Sequence, residues 1–150
     1  MAETQSDGND RSVEQHRRPA NVDDTTVAAA GKLSEALEIT ERARGHLYTF
    51  HQLTGGADFI LERAAELFRE AGHDRIADRV STELVGRNVL PGRWTFQIVE
   101  EYDDGYYDVF RGIEREVRDT LLQGRRHVYE AEMKEARRTN GLPGHEATSR

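Results

Sequence analysis

The residue types best suited to chemistry are concentrated in one segment of the chain, residues 86–110. This segment contains the only tryptophan, Trp94, and three of the five tyrosines. A buried phenol needs a hydrogen-bond partner, so tyrosines beside acidic side chains are typical of polar networks. Aromatic side chains and arginine are also enriched at binding surfaces. We therefore predict a surface for a protein partner or a small molecule, with the candidate ligand-binding residues Arg93, Trp94, Tyr102, Tyr106 and Tyr107.

An acidic run lies inside the same segment and consists of Glu100, Glu101, Asp103 and Asp104. On a helix, three of these carboxylates share one edge and Glu101 points elsewhere. Oxygen ligands joined by one or two histidines are typical of sites for hard divalent metals. The candidate metal ligands are His51, Glu100, Asp103 and Asp104, and no cofactor is predicted apart from such a divalent metal. The competing interpretation is an acidic face in contact with solvent.

His51 is the candidate catalytic residue. It lies one helical turn after Leu47, at the margin of an apolar stripe. A partly buried histidine near carboxylates can serve as a metal ligand or a general base. The alternative function is a metal-binding or hydrolytic enzyme that uses His51 with acidic residues of the 100–104 run, and proximity of Glu100 or Asp103 to His51 would favour such a shared site. The competing interpretation is a structural histidine that donates one hydrogen bond.

Charge and composition narrow the classes of partner. The formal net charge is −7 over 150 residues, which argues against nucleic acid as a partner because phosphate binding needs a basic surface. Uninterrupted apolar runs are only a few residues long, so no membrane-spanning segment is predicted. The chain has no cysteine, hence no disulfide or zinc–thiolate site. We expect a cytoplasmic protein, for which a homo-oligomer is one of the arrangements allowed.

Apolar periodicity predicts helices in the first half of the chain. The first helix is expected over residues 27–53 or 32–53, with its apolar stripe at Leu33, Ala36, Leu37, Thr40, Ala43, Leu47, Phe50 and Thr54. The Thr54-Gly55-Gly56 sequence predicts a break. A second helix over 57–71 follows, whose expected buried face includes Ile60, Leu67 and Phe68, and Gly72 supplies its left-handed end.

A third helix is predicted over 74–85, antiparallel to the second because the link between them is short. From Trp94 onward two structures compete. The alternation in TFQIVEEY and the Asp-Asp-Gly sequence after it are compatible with a β-hairpin. Three- and four-residue spacing continues without a phase break to Leu121, however, which favours a helix over 96–123 with a kink at Gly105 and with Ile113 buried.

These segments combine into one architecture. A last, more polar helix is expected over 125–138, while residues 1–26 and 139–150 have the composition of disordered tails. The predicted fold is all-α, a single-domain up-and-down bundle of four to five helices over 27–138. The function expected for it is a protein-interaction or small-ligand-binding module.

Overall fold

The computed structural model describes residues 13–148, and over this range the fold is all-α, as predicted. Two residues, Leu90 and Arg93, form an isolated bridge, and no strand is found among the described residues. None of the described helices is both long and apolar enough to cross a membrane. The α-helices are α1 (Asp24–Glu70), α2 (Asp74–Arg79), α3 (Thr95–Tyr102), α4 (Asp108–Leu122) and α5 (Val128–Arg137).

Helix α1 runs for 47 residues through the point where a break was predicted. The expected division into helices 27–53 and 57–71 is therefore wrong. Gly55 and Gly56 have no positive φ, so the backbone does not use the freedom that glycine offers for a turn. Each glycine costs a helix about 1 kcal/mol relative to alanine, which neighbouring turns that stay in phase can offset. The true end comes at Gly72, whose φ of 82° matches the predicted left-handed stop.

Helix α2 continues into a π-helical turn, Val80–Leu84, so the helix predicted over 74–85 is confirmed. The amide of Val85 donates to the carbonyl of Val80, five residues back. An ion pair of 2.8 Å between Arg69 and Asp78 joins α2 to the end of α1.

The segment after Trp94 is helical, and the β-hairpin alternative is wrong. Helix α3, a π-helical turn at Asp103–Tyr107 and α4 follow one another without a gap. The amide of Asp108 donates to the carbonyl of Asp103, which is the five-residue spacing of a π turn. The π turn thus occupies the place where a kink at Gly105 was predicted.

By their internal contacts the residues divide into two compact units. The first consists of Met1–Glu38 and Phe110–Arg150, of which 13–38 and 110–148 are described. Its core is formed by Val27, Ala30, Leu122 and Val128. Helix α5 approaches α1 closely at Gly31, where a Cβ would lie 3.0 Å from Cβ and Cγ of Tyr129. Ile113 is 49% exposed, so its predicted burial is wrong.

The expected N-terminal tail is only partly described. Residues 1–12 lie outside the described range, as do 149 and 150 at the other end. Residues 13–23 make defined contacts, in contrast to the predicted tail over 1–26. Arg18 donates two hydrogen bonds, of 2.8 and 2.9 Å, to the carboxylate of Glu132 in α5. At the other end, Arg138 donates to the carbonyl of His145.

The second unit, Ile39–Val109, has a small apolar interior. Its buried apolar side chains are Ala65, Ala77, Val99 and Tyr107, and two threonines, Thr40 and Thr95, are buried with them. The expected buried face of the predicted second helix is wrong, because Ile60 is 71% exposed and Leu67 is 48% exposed. The chain turns a different face of α1 toward α3.

Candidate functional site

The face of α1 that contacts α3 and the π turn is mostly polar. Its positions alternate in steps of four and three residues, and each is buried or half-buried: Thr40, Arg44, Leu47, His51, Thr54, Asp58, Leu61 and Ala65. This spacing keeps side chains on one line along a helix. We call these residues the polar line of α1. Four of them supply the contacts described next.

Arg44 is the centre of a network with the acidic run. Its guanidinium donates two hydrogen bonds, of 2.7 and 2.9 Å, to the two carboxylate oxygens of Asp103. The guanidinium carbon also lies 4.7 Å from the centre of the Tyr107 ring and 5.0 Å from that of Tyr48. Tyr107 in turn donates a 2.6 Å hydrogen bond to Glu41. One arginine thus combines a bidentate ion pair with two cation–π contacts.

The electrostatics of this network favour the charged forms of both partners. The hydrogen bonds from Arg44 hold the pKa of the Asp103 carboxyl below its usual range, against the opposing effect of partial burial. The same bonds raise the pKa of the Arg44 guanidinium. Both side chains remain about one-quarter exposed, so the pair is partly screened by solvent.

His51 contacts a threonine in the structure. Its Nδ1 lies 2.6 Å from Oγ1 of Thr95, the first residue of α3. Of the candidate metal ligands, Glu100 and Asp104 are exposed and Asp103 binds Arg44. Within residues 13–148, no group of three or more His, Asp or Glu side chains is placed to hold a metal ion.

The predicted aromatic residues fall into two groups. The rings of Tyr102 and Tyr106 are 5.8 Å apart, and those of Tyr102 and Tyr107 are 6.4 Å apart and stacked. These tyrosines lie around the Arg44 network. Trp94 belongs to a different place, where its indole N–H donates to the carbonyl of Arg87. Arg93 forms a 2.6 Å ion pair with Glu101.

Trp94 lines a cavity of about 280 Å³ at the start of α3. Asp58 and Thr95 contribute polar groups to its wall, and Leu61 and Leu84 contribute apolar ones. One oxygen of Asp58 already accepts a 2.8 Å hydrogen bond from the amide of Gly86. That bond attaches the loop after α2 to α1 and so shapes the cavity.

A second line of α1 is apolar and exposed. Its positions follow the heptad spacing of coiled coils, in which residues a and d repeat every seven residues. The a positions are Ala43, Phe50, Ala57, Ala64 and Ala71, and the d positions are Ile39, His46, Leu53, Ile60 and Leu67. We call these ten residues the apolar seam; all but Ala71, which directly follows the helix, belong to α1.

The apolar seam has no covering element among the described residues. Ile39, Leu53 and Ile60 are 58%, 69% and 71% exposed. Phe50 is 41% exposed and Leu67 is 48% exposed. The seam is displaced by one residue from the polar line, which corresponds to about 100° around the helix. The helix thus presents its more polar line to α3 and its more apolar line to solvent.

Several contact residues were not predicted from the sequence. Glu41, Arg44, Asp58 and Thr95 are polar residues, and the search for an apolar stripe did not select them. The four-three spacing of residues 40, 44, 47, 51, 54 and 58 connects two of these residues, Arg44 and Asp58, and does not include Glu41 or Thr95. The apolar residue types favour the seam one residue away as the buried line, whereas the structure packs the more polar line against α3.

Comparison with known protein families, with curated proteins and with solved structures finds no match for this chain. The contacts, cavity and exposed seam described above therefore carry the functional argument.

Proposed function

We propose that the protein is an interaction module that binds an amphipathic helix of a protein partner along the apolar seam of α1. The observation that carries the proposal is the exposure of Leu53 and Ile60, the central d positions of a heptad pattern. Burial of apolar surface contributes about 25 cal/mol for each Å² removed from water. A continuous apolar face of this kind marks an interaction site more often than a free surface.

Binding of a helix in a groove or along a seam uses anchors spaced by three and four residues. The seam provides such spacing over more than four heptads. Its alanines let a partner backbone come close, and its leucines and isoleucines supply the area to be buried. The cytoplasmic location stays a prediction.

The proposal is tested with a labelled synthetic helix that carries leucine at every a and d position. Fluorescence polarisation should show saturable binding to the wild type and at least tenfold weaker binding to Leu53→Asp or Ile60→Asp. The matched control is Gln52→Asp, which adds the same charge one residue away, on the side of α1 remote from the seam. Equal binding by all variants would remove the seam from the proposal.

A second candidate function is supported by the cavity beside Trp94. Its volume of about 280 Å³ is close to the lower limit of about 300 Å³ for ligand pockets, so the ligand would be small. Trp94 is the only tryptophan, and its fluorescence therefore reports directly on this cavity. A screen of small polar-aromatic compounds should find one that changes this fluorescence. Leu84→Trp, which fills the cavity from its wall, should abolish binding of that compound. Because this variant adds a second tryptophan, its binding is measured by absorbance or NMR. If no compound perturbs Trp94, this candidate fails.

The metal-binding or hydrolytic alternative stays a prediction. Among its candidate residues, His51 contacts Thr95 and Asp103 binds Arg44. Glu100 and Asp104 are exposed. A melting temperature that rises on addition of Mn²⁺ or Zn²⁺, and does not rise in His51→Ala, would favour it.

A further inference from the structure

We propose that the helix bound by the apolar seam is the same seam of a second copy of this chain, in antiparallel orientation. This inference rests on the proposed function and names the partner. Three features of the seam point to it: the alternation of small and large residues, the charges beside the seam and the length of the exposed face.

The size pattern favours antiparallel pairing. Four of five a positions are alanine, while four of five d positions are leucine or isoleucine. In a parallel pair, a meets a and d meets d, so alanine layers would alternate with crowded ones. Reversal of one helix brings a opposite d, so each alanine at an a position faces a larger side chain at a d position, and the layer that contains Phe50 is the exception, with two large side chains. Such layers fill space evenly.

The pairing that uses the whole seam places Gly55 and Gly56 near the two-fold axis. Residue numbers that face each other then add up to about 110. Ala43 meets Leu67 of the second copy, and Phe50 meets its Ile60. Gly56 is a g position beside the seam, and a Cβ there would have nothing within 4 Å in one copy, so the flank is free for close approach at this level. Gly55 is an f position on the opposite side of the helix.

The flanking charges select this register. The seam's outer flank, the g positions, carries Arg42, Arg63 and Glu70. In an antiparallel pair g residues face g residues, and in the full-overlap register Arg42 lies opposite Glu70 of the second copy, twice in the dimer. A shift by one heptad would place Arg42 opposite Arg63, which is repulsive. The e positions from Thr40 to Phe68 carry no charge, so a parallel pair gains no such ion pairs.

The length of the seam is sufficient for a specific interface. From Ile39 to Ala71 the helix rises about 48 Å, at 1.5 Å per residue, and it is about 10 Å wide. Each copy thus contributes on the order of 500 Å² in projection, or about 1,000 Å² for the pair, which is the lower limit for a specific interface. The accessible area of a corrugated face is larger than its projection.

Cysteine substitution gives a direct test, because the chain has no cysteine of its own. Ala43→Cys and Leu67→Cys are prepared as separate full-length proteins and treated with a short thiol cross-linker, alone and as an equimolar mixture. In the antiparallel dimer the two copies of residue 43 are about 36 Å apart along the axis, whereas residues 43 and 67 are adjacent. A covalent dimer should therefore form in the mixture and not with Ala43→Cys alone.

The outcomes separate the two proposals. Sedimentation of the wild type should show a dimer that Ile60→Asp dissociates and Gln52→Asp leaves intact, with circular dichroism confirming that both variants remain helical. Rapid cross-linking of Ala43→Cys with itself would show a parallel pair and overturn the inference. A monomeric wild type would also overturn it, and binding of the synthetic helix by that monomer would leave the proposed function standing. A dimer that Ile60→Asp does not affect would contradict the use of this seam.

Discussion

Arg44 joins two helical segments through chemistry that lysine cannot reproduce. Its planar guanidinium meets both oxygens of Asp103 and at the same time covers the face of Tyr107. A lysine ammonium would keep the charge and lose both the bidentate geometry and the flat contact. The network therefore depends on the shape of the cation as well as on its charge.

The first prediction concerns Asp103. Asp103→Asn should lower the free energy of unfolding by roughly 1 kcal/mol near neutral pH, because the pair with Arg44 is partly exposed. Since folding lowers the pKa of this carboxyl, its stabilisation is fully present above the ordinary aspartate pKa of about 3.9. It is lost as the pH falls through the lower pKa of the folded state.

Urea denaturation of both proteins at several pH values checks this prediction. The difference between wild type and Asp103→Asn should shrink below pH ~4. Asp104→Asn, at the exposed neighbouring position, is the control and should have little effect. A difference that stays constant down to strongly acidic pH would show that the ion pair is not the cause.

The second prediction concerns the contact between His51 and Thr95. Thr95 is only 5% exposed, so Thr95→Val keeps the shape of the site and removes the hydroxyl. We expect a loss of about 1 kcal/mol in the free energy of unfolding, the usual net value of one hydrogen bond. Thr54→Val serves as the control for the loss of a threonine hydroxyl. In the His51→Ala background, Thr95→Val should lose most of its effect on the free energy of unfolding. An equal loss in the His51→Ala background would contradict the assignment.

For individual residues, the sequence predicted which residue types form the network better than it predicted which side chains contact one another. The tyrosines and Asp103 do form a polar-aromatic network. Its cation is Arg44, however, and His51 lies beside Thr95 instead. The reason is geometric: a shift of one residue along a helix turns a side chain by about 100°, and periodicity alone did not determine which of two adjacent lines faces α3.

Helix α1 supplies the third prediction. Its φ angles at Gly55 and Gly56 are not positive, and a Cβ at either position meets nothing within 4 Å. Gly55→Ala should therefore raise the free energy of unfolding by up to about 1 kcal/mol, since alanine loses less entropy in a helix. Thermal melting followed by circular dichroism measures the change.

The matched control is a glycine that ends a helix. Gly72 has a φ of 82°, so Gly72→Ala should destabilise by roughly 1 kcal/mol. The two substitutions thus have opposite signs in a continuous helix that stops at Gly72. A destabilising Gly55→Ala would instead indicate a turn at Gly55.

The helical elements were largely predictable, whereas the continuity of α1 through Gly55 and Gly56 was not. Three- and four-residue spacing identified the helices from Asp74 to Arg137 and rejected the hairpin after Trp94. The pair Gly55-Gly56 misled because glycine weakens a helix only modestly, and no proline or left-handed φ enforces a stop there. Burial at Ile60, Leu67 and Ile113 was assumed from apolarity, yet a helix in a small unit has more apolar surface than its neighbours cover.

For the molecule as a whole, the fourth prediction is a melting temperature that depends on protein concentration. Only eight apolar side chains are buried among the described residues, so an added interface contributes a substantial share of the stability. Association linked to folding raises the melting temperature with concentration, here by roughly 2–4 °C for each tenfold increase.

Differential scanning calorimetry over a hundredfold concentration range measures this dependence. Leu53→Asp should abolish it, and Gln52→Asp should preserve it. A wild type whose melting temperature is independent of concentration would show that folding and association are not coupled.

The π turn at Asp103–Tyr107 has a consequence for changes in chain length. Val99 and Tyr107 are both buried and are eight residues apart, one more than the seven that return an α-helix to nearly the same side. The π turn therefore accommodates one residue more than a regular α-helix would have between these two positions, as if one residue had been inserted. Deletion of Asp104 should convert the segment to continuous α-helix with both buried side chains still in place, and circular dichroism and melting should stay close to wild type. Deletion of Glu116, within the regular helix α4, should be far more damaging because it rotates everything that follows.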